Sequence, residues 1–246
     1  MGIVLYLAMT AAEFDIRRSL PCPLAWMACH FSSYGTGLSN LPPALPKGSL
    51  LILNDRTPVF GHDPERIAQQ LSKIATQFDC DGILLDFQRP DELQTKAIVE
   101  AIISLSQPVA VTPFYAQHLD CPVFLPPPPL THPLEDHLRP WQGREIWMEA
   151  ALEDQHIRLD HAGSHILSEW SLHDSFPHTD EHLHCIYRTE VQMHHIDFFL
   201  RRNEAQLHRL LEEAVKLGVH RFVGLYQQLG SSFAQYVAAD TARFQA

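Results

Sequence analysis

Asp81-Gly82-Ile83-Leu84-Leu85-Asp86-Phe87-Gln88 is a run of apolar residues opened by an Asp-Gly turn and closed by two polar side chains. Apolar residues on consecutive positions mark a strand buried on both faces, the usual state of a parallel sheet. Asp86 and Gln88 lie two residues apart, so along a strand they point the same way. When parallel strands close into a barrel, their C-terminal ends face the pocket, which makes this pair the first place to look for a site.

Runs of the same kind recur on both sides, at 3–9, 24–31, 50–54, 109–113 and 123–126, and further on at 185–190 and 221–226. Amphipathic helices fall between several of them. The one over 63–78 opens with Asp63 as a cap and Pro64 in the first turn. A second, over 91–105, follows the Arg89-Pro90 break, and a third, over 203–217, stops at Gly218. Strand, helix and strand in alternation build βαβ units, and eight such strands fit a closed (β/α)8 TIM-type barrel. Pro42, Pro43 and Pro46 in one connection, and the proline run 126–129 in another, make poor helices, so the outer ring is expected to be incomplete. The segment 145–170 differs, with short β-like runs around Ala162-Gly163-Ser164 that read as an antiparallel hairpin. The expectation is one domain over 1–246 carrying an insertion at about 131–182.

The chain's 246 residues suit such a barrel. Its net charge of −11, with no stripe of Lys or Arg, argues against nucleic acid and against anionic membrane surfaces as partners. No apolar run reaches the roughly 20 residues needed to span a bilayer. Five scattered cysteines without a CxxC pair do not form a disulfide framework. The N-terminal stretch lacks the basic region of a secretion signal, so the expected location is the cytoplasm. Neither GxGxxG nor GxxxxGK[ST] occurs, and no cofactor is expected.

The 81–88 segment resembles the fourth-strand motif of the chitinase-like family 18 glycoside hydrolases, which runs DGxDxDxE. Asp81, Gly82 and Asp86 match; Leu84 stands where the middle aspartate belongs, and Gln88 where the catalytic glutamic acid belongs. The resemblance implies a sugar-binding barrel. In that family the glutamic acid protonates the leaving oxygen while the substrate's acetamido group attacks, outside the two-carboxylate scheme. A glutamine amide has no such proton to give.

Other strand ends supply further candidates. Asp55 ends the third strand and would approach Asp86 as a paired carboxylate. Glu149, beside Trp147, and Glu190, closing the 185–190 strand, could each replace the missing acid. Tyr115, Tyr226, Gln227 and Trp147, with Gln88, suit stacking on sugar faces and bonding to hydroxyls; Trp26 and Trp170 are additional aromatic candidates. Histidine is abundant at 16, with His178, His182, His184, His194 and His195 close to Asp197, but no HExxH or similar spacing marks a metal site and none is assigned. Two readings follow: a glycoside hydrolase using Asp86 and Asp55 with Glu149 or Glu190, or a lectin-like module that binds a small saccharide or glycoconjugate without turnover. A metal-dependent hydrolase built on the histidines is a third class.

Overall fold

The computed structural model describes residues 3–13, 22–33, 35, 37–59, 61–89, 93–167, 175–230 and 233. In chain order the elements begin with β1 (Val4–Met9), β2 (Leu24–Phe31), β3 (Leu38–Ser39), β4 (Leu50–Asn54), α1 (Pro64–Gln77), β5 (Gly82–Asp86) and α2 (Leu93–Ile103). They continue with β6 (Val109–Val111), α3 (Pro113–Ala116), β7 (Val123–Leu125), α4 (Leu134–Leu138) and β8 (Ile146–Glu149). Then come β9 (Glu153–Asp160), β10 (Gly163–Leu167), β11 (His178–Asp180), β12 (Cys185–Val191), β13 (His195–Arg202), α5 (Glu204–Lys216) and β14 (Arg221–Leu225). They fall into two compact units, one drawn from 1–126, 143–149 and 219–246 and the other from 127–142 and 150–218.

The first unit is the barrel. Its hydrogen-bonded order is β1-β14-β8-β7-β6-β5-β4-β2, and β2 pairs back on β1, so eight parallel strands close on themselves. β3 lies antiparallel on the outer edge of β2. The consecutive apolar residues are buried as their pattern requires: in β5, Ile83, Leu84 and Leu85 are all at most 1% exposed. In α1, the Asp63 carboxylate accepts from the Glu65 N–H at 3.1 Å, and Ile67, Ala68, Leu71, Ile74 and Ala75 make the buried stripe. Between β2 and β4, where the prolines lie, the described residues form β3 and turns but no helix, so the outer ring is incomplete.

Inside the barrel, Tyr6, Ala8, Ala25, Leu50, Ile52, Leu84, Ala110, Phe124, Trp147 and Val223 form one buried cluster. At its N-terminal end, Tyr6 donates its hydroxyl to the Asp81 carboxylate at 2.9 Å. Beside it, Trp147 donates to Glu145 at 2.8 Å, and the Arg221 guanidinium sits 5.0 Å from the indole centre. Gly82 is obligatory there, since a Cβ would come within 2.7 Å of the Trp147 ring and 2.9 Å of the Pro108 carbonyl.

The second unit is a five-stranded antiparallel sheet, β10-β9-β13-β12-β11, together with α4 and α5. Leu130, Cys185 and Leu200 form its core, with Ile157, Leu183, Tyr187 and Phe198 packed against them. The hairpin expected around Gly163 joins β9 to β10, the Ala162 N–H closing its turn on Asp160 at 2.7 Å. Two assignments are corrected. Residues 185–190, expected as the seventh barrel strand, form β12 of this sheet, and the seventh barrel strand in chain order is β8, at 146–149. β12 is only half-buried along most of its length, as suits a sheet with one face toward solvent, whereas β8 is buried along Ile146, Trp147 and Met148. Among the described residues, no helix is long and apolar enough to cross a membrane.

Candidate functional site

A cavity of about 490 Å³ opens among the C-terminal ends of the barrel strands; seven of the eight line it, and β6 contributes through Thr112 and Pro113 just beyond its end. Its wall is built by alternation along single strands. On β5 and the residues beyond it, Leu84, Asp86 and Gln88 face the cavity in succession; from β4 come Ile52, Asn54 and Arg56. β8 adds Glu149, the residues after β6 add Thr112 and Pro113, and β2 adds Met27. Polar groups therefore form a rim, and the deeper positions Ala8, Ile52, Leu84, Phe124 and Val223 form an apolar floor.

Asp86 is the group most altered by this setting. Burial raises its carboxyl pKa above the ordinary value, and the negative charge of Asp55 adds to the rise. The Gln88 amide, which donates to Asp86 Oδ1 at 2.5 Å, and the Arg56 guanidinium pull the other way. Asn54 is the register partner of Asp86 across β4 and β5. Its own amide donates to the carbonyls of Met27 and Cys29, both at 3.1 Å, where β2 carries a bulge. That clip holds the bulged strand against the rim and turns Met27 toward the cavity.

Asp55 belongs beneath the site. It is 4% exposed, and its Oδ2 accepts the backbone N–H groups of Gln88 at 3.0 Å and Arg89 at 2.8 Å. Tyr115, also buried, braces the same loop from the other side, its hydroxyl on the Arg89 carbonyl at 3.4 Å and its ring edge-on to Phe87. Both residues position Gln88 and neither lines the cavity. Strand parity explains why: Asn54 and Arg56 face inward, so Asp55 between them faces out.

Of the remaining candidates, Glu149 joins Asp86 and Gln88 in the cavity wall. Trp147, expected as a stacking surface, is 0% exposed in the barrel core and has no face open to a ligand. Glu190 is in the second unit, on β12, where it accepts from Arg188 Nε at 3.0 Å. Gln227 is exposed and donates to Glu13 at 2.6 Å, tying the residues after β14 to those after β1; Tyr226 is half-buried beside it. Trp26 is core, its indole N–H on the Asn40 carbonyl at 2.8 Å, and Trp170 lies outside the described residues.

Sequence reasoning passed over Asn54, Arg56, Thr112 and Phe114. The first two were signalled by the two-residue alternation itself. Phe114, next to the cavity-lining Pro113, does not line the cavity; it is 48% exposed and its ring stands edge-on to Tyr115.

Two histidines of the histidine-rich segment, His156 and His195, gather with Arg158 around Asp197. Asp197, 5% exposed, accepts from Arg158 Nε at 2.9 Å and from His156 at 3.0 Å, with His195 at 3.1 Å. The Arg158 guanidinium leads in holding its carboxyl down at about 2. Among the described residues, no group of three or more His, Cys, Asp or Glu side chains is arranged to hold a metal ion.

No protein-family model and no curated protein matches this sequence. Solved structures do match its fold. The spore cortex-lytic enzyme SleL of Bacillus cereus superposes with a TM-score of 0.56 at 10% identity, covering 98% of this chain and 74% of that one. SleL of Bacillus megaterium gives 0.54 at 11% identity, with the same coverage. A chitinase from Chromobacterium violaceum gives 0.52 at 11% identity over 98% of this chain and 99% of its own. At these identities the likeness is one of architecture: the chain has a closed barrel of the kind found in a chitinase and in spore cortex-lytic enzymes.

Proposed function

We propose that this protein is a glycosidase-like barrel that binds a small saccharide or glycoconjugate in the cavity at its C-terminal strand ends. The observation that carries the reading is the convergence of the barrel's strand ends on one cavity with Asp86 and Gln88 side by side in its wall. Its size falls within the range of small-molecule sites. Arg56, Asp86, Gln88, Thr112 and Glu149 offer the donors and acceptors that hydroxyl groups need. Chitinase-type neighbours support the saccharide class by analogy of fold. The unpaired cysteines suit a reducing compartment, and we extend the reading to a cytoplasmic protein handling small sugars.

With an amide at position 88, the acetamido-assisted route lacks its acid, so the leading reading is binding without that turnover. A second reading is favoured by one observation: Asp86, with its raised pKa, shares the cavity with Glu149. Asp86 would protonate a leaving oxygen while Glu149 activates water.

Calorimetric titration with chitotriose, with product analysis on the same sample, tests both. Heat at one-to-one stoichiometry with no product is the expected result. Cleavage that disappears in both Asp86→Asn and Glu149→Gln would establish the second reading. Absence of binding by chitotriose and by a panel of neutral mono- and disaccharides would sink the saccharide assignment.

A further inference from the structure

The polar rim explains how the cavity could hold a sugar, but its deeper part has a different chemistry. Below Asn54 and Asp86 on the same strands lie Ile52 and Leu84, and the floor is completed by Ala8, Phe124 and Val223. Among the described residues, no polar side chain lines this part of the cavity. Leu225 and Met27, partly buried, extend the apolar surface upward along two walls. The space exists because small residues stand where bulky ones would fill it. Ala8 on β1 lines the cavity, and Ala25 on β2 and Ala110 on β6 belong to the surrounding core. A barrel interior is normally filled by branched side chains.

A bare polyol makes poor use of such a floor, because any hydroxyl directed into it loses water without gaining a partner. An alkyl or acyl group gains instead, since apolar cavities hold water weakly and accept hydrocarbon. Resting on the saccharide reading above, we propose that the ligand is amphiphilic. Its sugar ring is held at the rim by Asp86, Gln88 and Arg56, and an apolar substituent points down the barrel axis onto Ile52, Leu84, Phe124 and Val223. The substituent is an aglycone or acyl chain longer than a methyl group, in a glycolipid-like or alkyl-glycoside-like small molecule.

The test is a titration series of methyl, propyl, butyl and hexyl β-N-acetylglucosaminides, each kept below its micelle concentration, with hexanol alone as a further probe. Affinity is expected to climb about three- to fourfold per added methylene until the floor is covered, at one-to-one stoichiometry. Hexanol alone should bind far more weakly than the hexyl glycoside, because the rim contributes to the glycoside only. The ratio of hexyl to methyl affinity is then read in Leu84→Asn and Ala8→Leu, with circular dichroism confirming that each is folded. The first makes the floor polar and the second fills it, and either should collapse the ratio by at least tenfold. Because the ratio is internal to each variant, a general loss of binding does not mimic the effect.

Equal affinity for all chain lengths would overturn the amphiphile proposal and leave the saccharide reading standing. A chain-length dependence unchanged in both variants would place the alkyl group elsewhere and overturn it too. Failure of every glycoside together with the plain saccharides would remove both.

Discussion

The two ends of the barrel each hold an aspartate of the same strand, and they treat it in opposite ways. Asp81, just before β5, keeps its carboxylate in solvent and uses it to satisfy the buried Tyr6 hydroxyl. Asp86, the last residue of β5, is drawn into the cavity wall, where burial raises its pKa and its one short side-chain partner is the neutral Gln88 amide. At the N-terminal end, aromatic rings pack to contact: Trp147 leaves no room for a Cβ on Gly82. At the C-terminal end, small residues and polar side chains leave a cavity. Five residues of one strand thus run from a place that contributes stability to a place that gives some of it up for a site, as barrels commonly divide their two faces.

The sharpest way to break this contrast is at the packed end. Gly82→Ala should cost about 3 kcal/mol, since the new methyl meets a backbone carbonyl and the edge of an indole that is itself enclosed. Urea denaturation monitored by tryptophan fluorescence would read it; a loss under about 1 kcal/mol would mean that the floor is looser than it looks. At the open end, Asp55→Ala should cost about 2 kcal/mol, because two backbone N–H groups lose a charged acceptor at a buried position. This change has a second consequence that Gly82→Ala lacks. Gln88 loses its anchor, so saccharide affinity should fall about tenfold, a shift that titration of the folded variant can separate from stability. Equal affinity in Asp55→Ala would show that Asp55 contributes to the fold alone.

The same contrast explains what could be read from the sequence. The barrel was legible because its strands are buried on both faces, so the consecutive apolar runs at 50–54 and 82–87 leave little alternative. The Asp86–Gln88 pair was legible from strand direction and parity. Asp55 was misjudged as a cavity residue because two neighbouring strand ends suggest proximity, whereas parity turns Asp55 outward and brings Asn54 beside Asp86. Trp147 misled for a related reason: an aromatic near a strand end suits a mouth or a floor equally, and only the register with β7 and β14 sets its depth. The exchange between 146–149 and 185–190 has another cause. Both are short apolar segments, and which of them closes the barrel depends on pairing with β14 and β7, a long-range choice that local pattern does not encode.

The smallest expected effect concerns the charge of Asp86 itself. A carboxyl whose pKa is raised on folding binds its proton more tightly in the native state than in the unfolded chain. Ionisation of Asp86 therefore costs stability: nothing at a pH below the unfolded value of about 3.9, progressively more as pH rises, and its full amount above the folded pKa. Asp86→Asn keeps an oxygen to accept from Gln88 and removes the charge. It should be slightly more stable than the parent at pH 7, and the gain should vanish near pH 3. Thermal melts of the two proteins at the two pH values are sufficient. A gain in Asp86→Asn that persists at low pH would come from packing rather than charge, and a loss at pH 7 would mean that the ionised carboxylate is held by its neighbours more firmly than Gln88 and Arg56 suggest. If the gain follows pH as expected while saccharide binding weakens, the charge at the mouth is kept for the ligand at the expense of the fold.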